Sequence, residues 1–376
     1  MVKTEDKMVK TGYGEKIQHI INELKKCAFE KGPEWKLPTI SKLCSIFSTT
    51  PITIDKALST LERKQIIYRT RGSGIYVSPT IFQKTIAIVF GWNIFSYSGV
   101  SKEVFNILLK KCEERIQKNT EKERFSVYLD IPEIQNDLSS TMHTHYQLQR
   151  DIESGEIDGV ISLIIRDLVQ LSWFQKTIPT VSFSMLGKKG TVHADFKKLI
   201  EIGTNSLIKE KCSKIGLITG FGYLRKQKYH GDIKGYIKTI KDFGLEYKPE
   251  YIWDNRMEER VETLEETGYR ATKEILTKNK NLHGLVITHD TMTIGAIAAM
   301  QNMGIKPGKD IKIATHSNKY SPVLNLNMYK NNLILIEIDT DEVVNKIFDL
   351  LERQMAGKKI PDRKILIQPY LIKSGR

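Results

Sequence analysis

Apolar residues recur at helical spacing in two short, adjacent segments near the beginning of the chain. The first segment places them at positions i, i+3, i+4 and i+7, as Ile40, Leu43, Cys44 and Phe47. The second repeats the pattern with Ile54, Ala57, Leu58 and Leu61. Because this spacing puts each set on one helix face, we predict two short amphipathic helices. The first begins at Thr39, and the second follows Thr50, a good N-cap residue, with Pro51 at its first position.

A longer helical pattern precedes these two segments, and a hairpin pattern follows them. Residues 14–31 carry one apolar face, which predicts a supporting helix. Residues 66–68 and 75–77 are rich in strand-forming side chains and flank a glycine-containing turn with arginines beside it. Two short helices followed by a basic hairpin are typical of a winged helix-turn-helix, which places one helix in the major groove of DNA.

From residue 85 onward, short buried-strand patterns alternate with helical patterns for nearly 290 residues. The predicted strands are 85–90, 125–129, 159–163, 179–183, 192–195, 213–219, 251–253, 284–288, 312–315, 333–336 and 364–372. This alternation predicts an α/β fold with doubly wound parallel sheets, and the length suits two lobes. Such sheets bind ligands beyond the carboxyl ends of their strands, so two facing lobes would close on a small molecule.

These patterns divide the chain into three parts. We predict a winged helix-turn-helix domain over residues 1–77, a linker over 78–84 and a two-lobed sensing and dimerisation domain over 85–376. The net charge of +14, from 58 basic and 44 acidic residues, favours polyanionic partners. Residues 1–80 hold 14 Lys or Arg and 8 Asp or Glu, a disproportionate share of that charge. The distribution therefore agrees with a DNA-binding head.

Several classes of protein are disfavoured by the sequence. No apolar run approaches the roughly 20 residues that span a bilayer, and the first residues lack the apolar core of a signal peptide. The four cysteines lie far apart, which argues against a zinc or disulfide framework and suits a reducing cytoplasm. No P-loop, GxSxG or HExxH motif is present, and His143 and His145 have no carboxylate at metal-ligand spacing. We therefore expect no membrane association, enzyme activity, cofactor or metal.

The first module resembles the gluconate-repressor (GntR) family of winged helix-turn-helix regulators over residues 13–77. The resemblance is carried by Leu37-Pro38-Thr39, Leu43, Phe47, Thr53-Ile54, Ala57-Leu58, Leu61, Gly72-Ser73-Gly74 and Ile75-Tyr76-Val77. It implies DNA contacts from the two short helices and the wing. In those elements the expected contacts are Thr39, Thr49, Thr50, Thr53, Gly72 and Ser73, with Lys42, Lys56, Arg69 and Arg71 as replacements for family arginines that this chain lacks. The alternative roles are a solvated basic face for the lysines and arginines, and helix capping for the threonines.

The module also departs from that family at three positions where members usually carry DNA-gripping arginines. These positions hold Ser41, Pro51 and Asp55 here. Because much of protein–DNA hydrogen bonding runs from Arg and Lys to phosphates, the loss puts the usual operator in doubt. We therefore expect Arg69 and Arg71 of the wing to be the main anchors.

The remainder, residues 84–376, resembles the effector domain of the lactose-repressor (LacI) family and, more distantly, periplasmic sugar-binding proteins. The matching blocks are 157–161, 192–195 with 214–218, 268–271 and 287–296 with its continuation to 313. Together with the GntR-like head, this order resembles arabinose-type sugar repressors. The resemblance implies a ligand cleft between two lobes and no catalytic residues.

Sugar clefts combine aromatic rings, which stack on C–H faces, with planar polar groups for hydroxyls. We expect Trp92, Phe95 and Tyr97 to supply rings after the first strand, or alternatively to cap the core of the lobe. Trp253 lies near a segment that often supplies another ring. The resemblance implies polar contacts at His289 and Asp290. The chain departs from the family at Asp232, which replaces a ligand-contacting arginine and could accept sugar hydroxyls. It departs again at Ser317, which replaces the expected aspartate, so that His316 or Asn318 would take over the contact. Asp290 is equally suited to capping the following helix, and Asp195 to a structural role.

These features predict a cytoplasmic, ligand-responsive transcription regulator of carbohydrate uptake or catabolism genes. Its expected partners are a double-stranded DNA operator, a second copy of the chain in a homodimer and a neutral monosaccharide. The carboxylate of Asp232 would disfavour an anionic effector. One alternative is a sugar-sensing module with weak or no DNA binding. Another is an aminotransferase-like enzyme fused to the same type of head, which would need a longer chain and a lysine Schiff base.

Overall fold

The computed structural model describes residues 13–91, 102–119, 122–130, 146–163, 168–184, 189–220, 231–254, 263–324 and 329–372. The chain separates into two compact units. The first contains the described residues up to Thr85 together with Ile116–Arg124 and Glu153–Glu156, and the second contains the others. None of the described helices is both long enough and apolar enough to cross a membrane.

Three helices and a two-stranded hairpin form the winged helix-turn-helix within the first unit. They are α1 (Tyr13–Lys31), α2 (Ile40–Ile46), α3 (Pro51–Arg63), β1 (Ile67–Thr70) and β2 (Gly74–Val77). The apolar faces read from the sequence meet in one core, which includes Ile20, Leu24, Ala28, Leu43, Ile54, Leu58 and Leu61. The predicted winged helix-turn-helix is therefore confirmed.

The hairpin reverses through a short turn that requires glycine. β1 and β2 pair antiparallel, with Ile67 opposite Val77 and Thr70 opposite Gly74. Gly72 has φ +75° and Gly74 has φ +134°, backbone conformations that other residues rarely adopt. These two glycines fix the tip of the wing, as their positions in the sequence predict.

The second unit contains two six-stranded sheets. The strands of the first sheet are β3 (Lys84–Gly91), β4 (Glu123–Asp130), β5 (Gly159–Leu163), β6 (Thr180–Phe183), β7 (Thr191–Ala194) and β13 (Ile365–Ile367). Their order is β13-β7-β6-β5-β3-β4, with parallel pairing from β3 through β5, β6 and β7 to β13. The helices that belong to this part are α4 (Lys102–Gln117), α5 (Tyr146–Glu153), α6 (Leu168–Thr177) and α11 (Thr340–Met355).

The strands of the second sheet are β8 (Ile215–Thr219), β9 (Ile252–Asp254), β10 (Gly284–Ile287), β11 (Lys312–Asn318), β12 (Leu333–Ile338) and β14 (Tyr370–Leu371). Their order is β14-β12-β11-β10-β8-β9, in which only the edge strand β14 pairs antiparallel among the pairs described. Its helices are α7 (Phe196–Lys209), α8 (Gly231–Asp242), α9 (Leu264–Lys278) and α10 (Asp290–Asn302). The predicted α/β fold with two doubly wound lobes is confirmed.

Two details of the predicted strands are corrected. The closing strand predicted over 364–372 is two strands, β13 in the first sheet and β14 in the second. Pro369 separates them, and its missing N–H cannot continue a ladder. The strand predicted to end at residue 315 continues to Asn318, so three polar residues of the predicted site lie within β11.

Helices α9 and α10 approach each other closely because two glycines face the contact. A Cβ atom on Gly295 would overlap the carbonyl oxygen of Glu265 and lie 2.8 Å from the backbone nitrogen of Tyr269. A Cβ atom on Gly268 would overlap the carbonyl oxygen of Met292 in the same way. This contact holds the beginning of α10 against the lobe, and the candidate cleft residues begin there.

Candidate functional site

Helix α3 begins with a threonine cap, and the three threonines around this cap differ in exposure. The Thr50 side chain accepts a hydrogen bond from the Thr53 backbone nitrogen at 3.4 Å, and the two hydroxyls lie 3.0 Å apart. Thr53 is only 3% exposed. Its hydroxyl contributes to the cap, which is the alternative role named for the threonines, and a contact between Thr53 and DNA stays a prediction. Thr50 is exposed and Thr49 is half-buried.

The predicted basic contacts in the first unit have different surroundings. Lys42, Lys56 and Arg71 are exposed, and no described residue pairs with the side chains of Lys42 and Arg71. Thr39 caps α2 by accepting from the Lys42 backbone nitrogen at 3.4 Å. At the tip of the wing, Gly72 and Ser73 are exposed, and the Ser73 hydroxyl lies 2.6 Å from that of Tyr76. Arg71 is therefore an accessible cation at this tip.

Arg69 is held by α3 instead of pointing into solvent. Its Nη1 donates to Asp55 Oδ1 at 2.6 Å, and its Nη2 donates to Ser59 Oγ at 2.9 Å. Its Nε lies 3.2 Å from Glu62 Oε2. Asp55, at a position where the GntR family usually carries an arginine, therefore pairs with the wing arginine expected to replace that contact. In this arrangement both charges are compensated within the head.

An exposed apolar residue near the start of α3 was missed by the sequence reasoning. Ile52 is 67% exposed, although its neighbours Thr53 and Ile54 are buried. It lies outside the buried stripe of α3. This position out of phase with the apolar period is the sequence feature that could have identified an exposed apolar side chain.

The predicted cleft residues divide into those the structure describes and those it does not. Trp92, Phe95 and Tyr97 lie outside the described residues. Asp232 lies in α8, but its side chain is outside the described part. The remaining predicted residues, Trp253, His289, Asp290, His316, Ser317 and Asn318, are all described.

Trp253 does not join the other predicted cleft residues. It lies on β9, the edge strand separated from β11 by β8 and β10. Its indole Nε1 donates to Glu274 Oε2 at 2.9 Å, and the Arg270 guanidinium lies 5.2 Å from its ring. Both partners belong to α9, so Trp253 packs against that helix. Stacking of its ring on a cleft ligand stays a prediction.

Four of the predicted residues meet at the carboxyl ends of β10 and β11. His289 and Asp290 begin α10, immediately after β10, while His316 and Asn318 alternate along β11 on one face. The His316 Nε2 atom lies 3.2 Å from Asn318 Oδ1, and His289 Nδ1 lies 3.3 Å from Asp290 Oδ1. Ser317 points to the opposite face because side chains alternate along a strand.

This group of four residues, which we term the polar cluster, is deeply buried. Asp290 is 0% exposed, and His316 and Asn318 are each 4% exposed. Asp290 Oδ1 accepts a hydrogen bond from the Thr291 backbone nitrogen at 2.8 Å. No described residue forms a hydrogen bond with Asp290 Oδ2, His316 Nδ1 or Asn318 Nδ2. Buried polar atoms are usually paired, so the cluster has unused hydrogen-bonding capacity.

Burial and neighbouring groups set the charges of the cluster. Burial lowers the pKa of His316 to about 4, against an opposing effect from the Asp290 carboxylate, so this imidazole is neutral at pH 7. Burial alone would raise the pKa of Asp290. The His289 hydrogen bond, the two histidines and the Thr291 N–H outweigh it and lower that pKa to about 2. The cluster therefore presents one carboxylate and a neutral His316.

Two aromatic residues beside the cluster were also missed. The Phe196 ring, at the first position of α7, lies 5.9 Å from the His316 ring, and His193 of β7 lies 5.4 Å from Phe196. Phe196 is half-buried, so part of its ring is accessible. Asp195, between them, caps α7 through Lys198 N at 3.0 Å and accepts from Gln368. In these contacts Asp195 has a structural role. The only sequence signal for Phe196 is its place directly after this capping residue.

Fold and site together define a class of protein with a winged helix-turn-helix joined to a two-lobed domain of the ligand-binding type. Residues 17–77 match the family model of GntR, bacterial regulatory proteins, and residues 204–374 match that of a periplasmic binding protein-like domain. The chain therefore combines a GntR-type helix-turn-helix domain with a periplasmic-binding-protein-like domain.

The similar curated proteins are transcriptional repressors. The HTH-type transcriptional repressor PurR of Klebsiella pneumoniae (strain 342) is 25% identical over 166 residues, which is 44% of this chain and 45% of that protein. PurR of Edwardsiella ictaluri is 23% identical over 191 residues, 49% of this chain and 52% of that protein. The chain thus spans about half the length of the curated relatives it matches.

Solved structures with the same fold include regulators of the LacI type. The transcription regulator CcpA of Lactococcus lactis superposes with a TM-score of 0.57 at 16% identity, covering 78% of this chain and 100% of that chain. A LacI-family regulatory protein from Chloroflexus aggregans has a TM-score of 0.57 at 20% identity, covering 77% and 97%. A sugar-binding LacI-family regulator from Escherichia coli, complexed with phosphate, gives 0.57 at 14%, covering 77% and 96%. At these identities the likeness concerns the fold.

Proposed function

We propose that this chain is a DNA-binding transcription regulator whose two-lobed domain binds a small-molecule effector. The observation that carries the proposal is the polar cluster of His289, Asp290, His316 and Asn318 at the carboxyl ends of parallel strands. In open α/β sheets this is where ligands bind. The cluster atoms Asp290 Oδ2, His316 Nδ1 and Asn318 Nδ2 are buried without a hydrogen-bond partner among the described residues. The winged helix-turn-helix supplies an exposed helix and a basic wing tip for a double-stranded operator.

The effector is a neutral monosaccharide, and the regulated genes serve carbohydrate uptake or catabolism. Hydroxyl groups both donate and accept, so they can satisfy Asp290 Oδ2, His316 Nδ1 and Asn318 Nδ2 together. The half-buried ring of Phe196 offers a stacking surface for a sugar face. An anionic effector would be repelled by the buried Asp290 carboxylate.

A thermal-shift screen across neutral monosaccharides tests this assignment. A bound sugar stabilises the folded state by RT ln(1 + [L]/Kd), about 2.7 kcal/mol at 100 times Kd. Substitution Asn318→Ala should abolish the shift, because it removes an amide that faces the cluster. Ser317→Ala is the matched control, since Ser317 lies on the same strand but on the opposite face. No shift with any monosaccharide would contradict the effector assignment.

The regulator acts in the cytoplasm as a homodimer, because paired heads match paired operator half-sites. Linkage requires that sugar and operator change each other's affinity by the same factor. Sedimentation of the chain with and without a duplex from its own upstream region measures the assembly. A single chain on each duplex would contradict the homodimer, and equal operator affinity with and without sugar would contradict the coupling.

The ion pairs of Arg69 within the head favour a second candidate function. A sensing module with weak or no DNA binding would explain why this arginine pairs with Asp55 and Glu62 within the head. Fluorescence anisotropy with the upstream duplex distinguishes the two functions. A sugar-induced thermal shift without duplex binding at low salt would favour the sensing module.

A further inference from the structure

Three residues of the polar cluster have the composition of a transition-metal site. One nitrogen from each of His289 and His316 and one oxygen from Asp290 lie within 4.8 Å of one another, and all three residues are buried. Imidazole and carboxylate are the ligands that zinc and related divalent ions take in proteins. The expectation of no metal rested on the spacing of the cysteines and on His143 and His145, whereas the fold brings His316 to the adjacent pair His289-Asp290.

The unpaired atoms of the cluster supply a second, independent observation. Asp290 Oδ2 and His316 Nδ1 are buried without a described hydrogen-bond partner, and their side chains are 0% and 4% exposed. Leaving such buried atoms without a hydrogen-bond partner destabilises the folded state. A cation would complete both, because each atom offers a lone pair.

Asn318 provides the support that a histidine ligand needs. Its Oδ1 lies 3.2 Å from His316 Nε2, and in the tautomer that carries the proton on Nε2 the ring donates to this oxygen while Nδ1 presents its lone pair. Metal-binding histidines usually donate their second N–H to an oxygen in this manner, which fixes the ring orientation and tautomer. The arrangement therefore matches a ligand with its supporting contact already in place.

We propose that His289, Asp290 and His316 bind a divalent transition-metal ion of the zinc class in the effector cleft. Ligands of a tetrahedral zinc ion lie about 3.3 Å apart, so the side chains must move closer together on binding. Three protein ligands leave one position of a tetrahedral ion open for water or for an oxygen atom of an effector. The site does not depend on DNA binding by the chain.

Titration of the tag-free, chelator-treated full chain with Co²⁺ tests the proposal by visible absorption. We expect intense tetrahedral bands that saturate at one ion for each chain and disappear when Zn²⁺ is added. Replacing His316→Gln should remove the bands, because it removes a ligand. Asn318→Ala should weaken binding by about 10–100-fold, because it removes only the supporting contact.

His283→Gln is the matched control. His283 lies just before β10, while His289 lies just after it, so the two histidines flank the same strand at opposite ends. This variant should keep the bands unchanged, and circular dichroism should match for all variants. If His316→Gln does not fold, His289→Gln takes its place.

Three results would overturn the proposal. One is the absence of bands from the unsubstituted chain at saturating Co²⁺. The others are bands that survive the loss of a histidine ligand and bands that depend on His283. A sugar shift in the thermal screen without any metal spectrum would overturn the metal site and leave the effector assignment intact.

Discussion

Removing the carboxylate of Asp55 tests whether the wing arginine, Arg69, can exchange its contacts within the head for a contact with a DNA phosphate. In the described arrangement, Arg69 donates to Asp55 at 2.6 Å and contacts Glu62 at 3.2 Å. Asp55→Ala deletes the shorter of these contacts and a negative charge on the exposed side of α3. We expect the guanidinium to become available to a DNA phosphate, so duplex affinity should rise.

The magnitude follows from counterion release. Each phosphate contact steepens the dependence of log K on log salt by about 0.9 for duplex DNA. One gained contact would therefore change the affinity ratio of variant to unsubstituted chain by about 3.5-fold between 50 and 200 mM salt. The cost to folding is small, because partly exposed ion pairs contribute about 0–1 kcal/mol. With side chains 28% and 55% exposed, Arg69 and Asp55 form such a pair.

Anisotropy titrations with one duplex at several salt concentrations measure the effect. Glu62→Ala is the control, because it removes one negative charge from the same helix while the 2.6 Å contact to Asp55 remains. The double substitution Asp55→Ala and Arg69→Ala should return the salt slope to that of the unsubstituted chain. An unchanged slope for Asp55→Ala, or a reduced affinity, would refute the reasoning.

Three further predictions address the wing tip, the lobe and the cluster. Arg71→Ala should weaken duplex binding and reduce the salt slope by about 0.9, measured by the same titration, because Arg71 is exposed at the tip. Gly295→Ala should lower the melting temperature, since its Cβ would overlap the carbonyl oxygen of Glu265, with a net loss of about 1–3 kcal/mol. Gly235→Ala, which meets only flexible side chains, should preserve or raise that temperature. His316 stays neutral in the folded state down to its pKa of about 4, whereas the unfolded chain takes the proton near 6.5. Stability should therefore fall as pH decreases from 6.5 to 4, and pH-dependent melting of His316→Gln should lack that part of the decline.

The helices and most strands were predictable because each buries one face, and the period of apolar residues records that face. Ile54, Leu58 and Leu61 are spaced as a stripe and all lie in the core of the head. The same logic fails at the end of β11. His316 and Asn318 are polar residues buried in a central strand, so hydrophobic periodicity ends before the strand does.

The surroundings of Trp253 and Arg69 could not be predicted for a different reason, because they depend on tertiary pairing. Nothing in the local pattern around Trp253 predicts that β9 forms the sheet edge and that Arg270 covers the indole ring. Likewise, the partnership of Arg69 with Asp55 joins two residues of different elements. Trp253 was assigned from a family segment and Arg69 from its charge on the wing, and neither property records which neighbour pairs with the side chain.

The polar cluster buries polar atoms at a cost in folding free energy that a purely structural role does not explain. Asp290 Oδ1 already accepts the Thr291 N–H, so helix capping uses only one carboxylate oxygen and leaves Oδ2 buried without a described partner. Replacing such groups by apolar ones of similar shape is often neutral or stabilising. His316 and Asn318, on the neighbouring strand, also have buried polar atoms without a described partner. A molecule or ion that enters the cleft and completes these atoms would account for all three, and this reason for locating the effector site here is independent of family resemblance.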